Sequence, residues 1–356
     1  MRQKGFIFTV LMLAAAGVAA FALPHIVRAV NYGREIPILM YHDVQNGDKL
    51  GLWQVSAREF ERQMDDIAAD GRKTILPDDI WRASRGYYIL PRKPVVITFD
   101  DGYEGVMRNA EPVLEAHGFK AICYVIVGRL AGEGPERGSF DSGPLLSTNE
   151  VAAMGARGVI SFGSHSMTHK PIPKSLANEI RESRYALRRL TGLKTHSYCY
   201  PHGRHGYDFM YAALRDAKFR TALICDDRLY RFGVETNLLA IPRVSVYGGK
   251  HDFSIEKALL DGDCAEAVVS NNGAAMPVRC MLRDKVTGRR FVSEGEPVWL
   301  GRGRRGKGET AVFHWSSLPT GLDAANLEVV VCEQNALFTY GLPALVYNHQ
   351  TPINKQ

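Results

Sequence analysis

Closely spaced cysteines are missing from this chain of 356 residues. Its six (Cys123, Cys199, Cys225, Cys264, Cys280, Cys332) include no CxxC pair, which excludes a zinc knuckle and a thioredoxin-type redox motif. Most then read as small apolar residues, although Cys280 and Cys332 share the last segment and could pair if it is exported. Concentrated charge is missing too. The 44 Lys plus Arg and 38 Asp plus Glu leave a net +6 spread along the chain, without the basic stripe of a nucleic-acid binder. Nucleic acid is therefore not an expected partner. No internal repeat is visible, and the composition is neither disordered nor collagen-like. What is present is an ordinary globular balance, 46% hydrophobic, enough for a sizeable core without disulfide staples. At roughly 150 residues per domain the length suggests about two domains, although one α/β barrel can hold about 250 residues.

The N-terminus carries the first positive signal. Arg2 and Lys4 precede an uncharged apolar run from Phe6 to Leu23, the n-region and h-region of an export signal. Ala20, Phe21 and Ala22 offer an A-x-A cleavage site, yet the run is also just long enough to span a bilayer. Cleaved signal and retained inner-membrane anchor both stay open for residues 1–30. In either case the rest of the chain is expected in the periplasm or outside the cell, with membrane association through this segment in the second case.

Beyond it, apolar β-rich runs alternate with helical periodicity. IPILMYHDV (36–44) and VVITF (95–99) read as buried strands, and a helix follows the capping pair Ser56 and Glu59. Further strands are expected near 120–127, 159–162, 196–200, 220–224 and 238–246, with helices near 149–156, 176–190 and 209–217. Repeated βα units imply a parallel sheet or barrel with its ligand site at the C-terminal strand ends. From about Asn271 the pattern changes to short strands between turn residues, without a convincing helix. We therefore divide the chain into an α/β domain over 35–268 and a small all-β domain over 272–356. The tip GRGRRGK (301–307) of the latter reads as a solvated Gly-rich loop, or as a contact for an anionic surface.

Two features carry chemistry. Asp100 and Asp101 follow an apolar strand side by side, where two buried carboxylates require positive charge nearby. His165 and His169, in GSHSMTH, follow another strand; on a helical turn their spacing would put both imidazoles on one face, able to grip a metal ion. Alone, an HxxxH pair is often chance and a DD pair is more often a helix cap. Together, in one α/β domain, they suit a divalent metal in a hydrolytic site. Tyr103 and Tyr200 are candidate sugar platforms, or equally ordinary wall packing.

The joint pattern resembles the polysaccharide deacetylases with the NodB-homology domain, carbohydrate esterase family four. TFDDGY (98–103) is similar to the family's first motif and HSMTH (165–169) to its second; the likeness spans roughly 36–250. It implies an incomplete or distorted (β/α) barrel that hydrolyses N-acetyl groups on an N-acetylhexosamine polysaccharide. It also implies that Asp101, His165 and His169 hold a divalent metal, zinc by the family's habit, with Asp100 as general base. The third motif is half present: YCYPHG (198–203) keeps Pro201, puts Cys199 in the arginine slot and leaves the His202 backbone N–H as oxyanion donor. What orients Asp100 in place of the missing arginine stays open: Arg243, in the AIPRV run, is the candidate, against a plain surface or core-edge arginine. The late L-x-H motif is absent. His42 in MYHDV resembles the N-terminally shifted motif of extracellular poly-N-acetylglucosamine deacetylases, and is expected to protonate the leaving amine, tuned by a neighbour such as Asp43. Two other readings stay open: an exported glycan-binding protein with a decayed site, and an amidase on a small non-sugar amide, against which the export signal weighs.

Overall fold

The computed structural model describes residues 22–355 except 48–49, 133–135, 142, 171–174, 227, 249–252, 272–275, 285, 288, 296–297, 301–308, 334–345 and 353. Most of the N-terminal apolar run and the whole GRGRRGK tip lie outside the described residues. Among the described residues no helix is long and apolar enough to cross a membrane.

Seven parallel strands form the main sheet: β1 (Ile38–Tyr41), β2 (Pro94–Phe99), β3 (Ala121–Val125), β4 (Ile160–Ser164), β5 (Ser197–Cys199), β6 (Thr221–Leu223) and β7 (Val244–Ser245). Their spatial order is β6-β5-β4-β3-β2-β1-β7, with the two-residue strand Lys73–Thr74 also paired to β2. Sequential strands are therefore neighbours, and the last returns to the side of the first. The segment before β7 touches the opposite edge as well: Ile241 bridges Leu223, and Ile224 N–H donates to the Ile241 carbonyl at 2.9 Å. The sheet curls into the expected incomplete barrel.

Strands β1, β2 and β3 are buried at every residue, as befits parallel strands covered on both faces. Leu39, Tyr41, Val95, Ile97, Phe99, Cys123 and Val125 pack with Phe60, Met64, Leu114, Val151 and Met154 of the flanking helices. Their alternates Ile38, Val96, Ile122 and Tyr124 meet Leu223 and Ile241 inside the curl. The period-2 strand geometry thus divides one apolar run between two cores.

The C-terminal part is a sandwich of two sheets. One joins β8 (Phe253–Asp261), β9 (Cys264–Asn271), β13 (Glu309–Trp315) and β16 (Asn354–Lys355); the other joins β10 (Met276–Asp284), β11 (Arg290–Val292), β12 (Val298–Leu300), β14 (Leu327–Glu333) and β15 (Val346–Pro352). Ala258, Leu260, Ala265, Ala267 and Val269 face Val278, Cys280, Leu282, Val329 and Val331 across a common core, again at alternate positions. The all-β pairing begins at Phe253, ahead of the break placed near Asn271. The Asp261–Cys264 turn, with Gly262 at φ +62°, makes β8 and β9 a hairpin whose second strand pairs with β13. A two-residue Gly-Asp loop, Gly262-Asp263, flanked by alternating apolar residues is the hairpin signal that marks it. Cys280 is a buried free thiol, with Val331 as its cross-strand partner.

Candidate active site

The C-terminal strand ends deliver the chemistry-bearing residues to one rim. Phe99 ends β2, and the chain then turns sharply: Asp101 sits at φ +68° and Gly102 at φ +88°. A Cβ on Gly102 would meet Val125 Cγ1 at 2.8 Å, so the third residue of DDG must be glycine. The turn sends the two adjacent carboxylates to different partners.

Asp100 belongs to Arg243. The guanidinium donates from both terminal nitrogens, each at 2.7 Å, to the two carboxylate oxygens, and both groups are buried, Arg243 at 1% exposure. Arg243 is anchored further by the Ile224 carbonyl at 3.2 Å and Thr98 Oγ1 at 3.1 Å. Burial alone would raise the Asp100 pKa, but the Arg243 charge overrides it and holds the carboxyl below its usual range. Cys199, in the slot where the third motif carries arginine, leaves room for this fork. Its Sγ lies 3.0 Å from an Arg243 nitrogen and 3.4 Å from an Asp100 oxygen.

Asp101 instead faces the histidines. Its Oδ1 lies 3.6 Å from His165 Nε2 and 3.3 Å from His169 Nε2, yet this buried oxygen has no hydrogen-bond partner. Burial and the neighbouring Asp100 charge push the Asp101 pKa well above the carboxylate range. Burial lowers His165, and lowers His169 to about 3. An orphaned carboxylate oxygen and two neutral imidazoles converging on one point are what a divalent cation requires. The separations match the edge of about 3.3 Å expected for a tetrahedron with bonds of about 2.0–2.1 Å. His165 Nδ1 is 3.0 Å from the Cys199 carbonyl; since a carbonyl only accepts, Nδ1 carries the proton and Nε2 keeps its lone pair toward Asp101.

The spacing of the two histidines does not come from a helical turn. Residues 165–169 form a loop with Ser166 at φ +64° and His169 at φ +62°, conformations that cost energy in non-glycine residues and cluster at functional sites. Ser166 Oγ accepts from His169 N–H at 2.9 Å. Glu179, on the helix Leu176–Thr191, accepts from the Met167 and Thr168 N–H groups at 3.0 and 3.1 Å and from the Thr168 hydroxyl at 2.9 Å. Phe140 packs edge-on to the His169 ring at 4.8 Å, with Arg129 over Phe140. Glu179 and Phe140 escaped the sequence reading because nothing in their spacing links them to the motif.

His42 follows β1 and lines the same open pocket of about 350 Å³ as Asp100, Asp101, His165, His169 and Arg243. Its ring lies 4.5 Å from that of Trp53, and its buried Nδ1 has no partner. Burial lowers its pKa to about 4, opposed by the charge of Asp100. The tuning carboxylate is thus Asp100 and not Asp43, whose Oδ2 is engaged by the Gln45 and Gln54 amides. Tyr103 and His202 also line the pocket; the exposed His202, at φ +55°, sets its ring 4.6 Å from the His169 ring and tilted to it by 56°. Tyr200 is wall. It is 1% exposed, its hydroxyl donates to the Leu239 carbonyl at 2.9 Å, and it packs on Tyr198. Pro201 is buried beside it.

Residues 88–222 match the family model for polysaccharide deacetylase. The chain carries a polysaccharide deacetylase domain. It is 29% identical over 183 residues to the putative polysaccharide deacetylase YxkH of Bacillus subtilis, covering 50% of this chain and 61% of that protein. Against the poly-β-1,6-N-acetyl-D-glucosamine N-deacetylase of Staphylococcus aureus it is 26% identical over 115 residues, 32% of this chain and 37% of the relative. The chain thus spans less than two thirds of the length of either curated relative. Among solved structures, IcaB from Ammonifex degensii superposes with a TM-score of 0.52 at 26% identity, covering 60% of this chain and 93% of that one. The Streptococcus pyogenes deacetylase PplD shares the fold at TM-score 0.52 and 22% identity, over 60% and 93% of the two chains. The family match ends before Arg243 and begins after His42, so both of these groups come to the pocket from outside the matched segment.

Proposed function

We propose that the protein hydrolyses N-acetyl groups from an N-acetylhexosamine-containing polysaccharide, releasing acetate and leaving free amines. The observation that carries this reading is the division of labour between adjacent aspartates: Asp100 locked to Arg243, Asp101 left bare beside two neutral histidines. Asp101, His165 and His169 would hold a divalent metal, zinc in this reading. When bound, it would polarise the acetamide carbonyl and acidify water.

The chain's own groups supply the rest. Asp100, ionised and fixed by the Arg243 fork, accepts the proton of the attacking water. Because the same arginine lowers its pKa, the protonated carboxyl is a ready donor and passes the proton on. His42, neutral at rest with its pKa near 4, takes up that proton and delivers it to the departing amine instead of storing one beforehand. The His202 backbone N–H stands at the rim as oxyanion donor, and Tyr103 offers a wall for the sugar. The basic-then-apolar N-terminal segment supports an exported enzyme, periplasmic or extracellular, with residues 1–30 as signal or membrane anchor. The sheet pairing supports a deacetylase unit from 35 to about 250 and an all-β unit from 253 onward.

The test is free-amine release from defined N-acetylglucosamine oligomers by the full chain and by Asp100→Asn. Release by the wild type that falls by about 10² to 10⁴ in the variant supports the reading. Equal release by both overturns it, as does none from any oligomer.

A further inference from the structure

We propose that Trp53 and Trp299 form a glycan subsite leading out of the pocket onto the β-sandwich, where pyranose rings of the same polymer stack beyond the residue being deacetylated. This rests on the deacetylase reading and names a role for the C-terminal sandwich in it. Four rings make a continuous ladder. His42 lies 4.5 Å from Trp53, Trp53 lies 5.0 Å from Tyr247, and Tyr247 lies 6.1 Å from Trp299, centroid to centroid. Tyr247 is buried, whereas Trp53 is 38% and Trp299 54% exposed. The ladder thus starts at the reacting site and presents two partly exposed indoles, one contributed by each unit of the chain.

The ladder is also held in place. Trp53 accepts from Asp43 N–H through its carbonyl at 3.3 Å, and Leu52 accepts from Gly248 N–H at 2.6 Å. A Cβ on Gly248 would collide with the Gln54 backbone, so the chain just after β7, at 246–248, passes directly beneath the Trp53 loop. On β12, Leu300 is buried in the sandwich core while Trp299 is turned outward, as alternation requires. Single exposed aromatics are common on protein surfaces. Continuity with a pocket that Trp53 itself lines is what distinguishes this pair. A neutral sugar ring with apolar C–H faces suits flat indoles.

The experiment follows amine release against oligomer length, from dimer to hexamer, for the wild type, Trp299→Ala and Trp299→Phe in the full chain, with Tm as the folding control. The proposal expects wild-type kcat/KM to rise with length. Trp299→Ala should lose about tenfold on the hexamer, mainly through KM, and flatten that rise; Trp299→Phe should restore most of it. A length dependence identical in the wild type and Trp299→Ala overturns the subsite while leaving the deacetylase intact. If no oligomer is hydrolysed, the deacetylase reading fails separately. Quenching of tryptophan fluorescence by the hexamer then decides the subsite: it is supported if Trp299→Ala weakens binding and overturned if it does not.

Discussion

Arg243 and Asp100 are 143 positions apart in sequence and form the tightest charged contact at the centre of the pocket. Replacing Arg243 by alanine leaves a buried carboxylate without its counter-charge, a loss of about 3–5 kcal/mol in stability for such pairs. Turnover should fall at least about 10²-fold, with metal content unchanged because Arg243 touches none of the three expected ligands. Arg243→Lys should recover only part, since an ammonium cannot reproduce the two-pronged geometry. Turnover unaltered in both would refute the orienting role. The histidines give a second residue-level expectation. His42 and His169 are lowered to about 4 and 3, and His165 is lowered as well. His42 and His169 are neutral in the fold near pH 6, and His165 binds its proton less readily than a free imidazole, while the unfolded chain takes up protons below about 6.5. Stability of the metal-free protein is therefore lost as pH falls from 6.5 toward 4. Asp101, Asp43 and His117, raised instead, work the opposite way, but His196 joins the three lowered histidines, and the four outnumber them. A Tm that stays flat or rises between pH 6.5 and 4.5 in the presence of chelator would contradict this.

The loop 165–169 shows why a motif can be read correctly in composition and wrongly in conformation. The four-residue spacing suits a helix face, but Ser166 and His169 adopt left-handed backbone, and the loop is fastened by Glu179 from the next helix. The strain is legible only in three dimensions, because nothing local in SHSMTH demands it. Glu179→Gln keeps the size of the side chain but weakens the charged acceptor for two backbone N–H groups. Metal affinity should drop about 10- to 100-fold, the range for supporting groups around a metal site, while turnover at saturating metal stays near wild type. Loss of turnover with unaltered affinity would place Glu179 in the chemistry and not in the positioning of the loop. Elsewhere, the strands β1 to β4 and the helices Thr148–Arg157 and Leu176–Thr191 were legible because their apolar periodicity is long. Strand β7 falls inside the run 238–246 that reads as a strand, but only two of its residues pair, and no local pattern announces that their partner is β1. The β8–β9 hairpin differs from the expected α/β span 35–268 because its Gly262-Asp263 loop, the one local signal for it, is only two residues long.

At the scale of the whole molecule, strand order explains the site. Sequential strands β1 to β6 with β7 folded back beside β1 bring His42 from the start of the domain and Arg243 from its end to the rim where Asp100, Asp101 and His165 emerge. A curl of this kind lets the arginine come from the last strand instead of the third motif, with Cys199 small enough to admit it. Chelation should lower Tm, and added zinc should raise it again through a stabilisation of about 2.7 kcal/mol at a hundredfold excess over Kd. The most direct test of the account is stoichiometric reactivation: metal-free protein titrated with zinc while acetate release from an N-acetylglucosamine oligomer is followed. The account predicts a linear return of activity that breaks at one equivalent per chain and is absent in Asp101→Asn. Acetate release that is independent of added metal, or fully reactivated in Asp101→Asn, would contradict it.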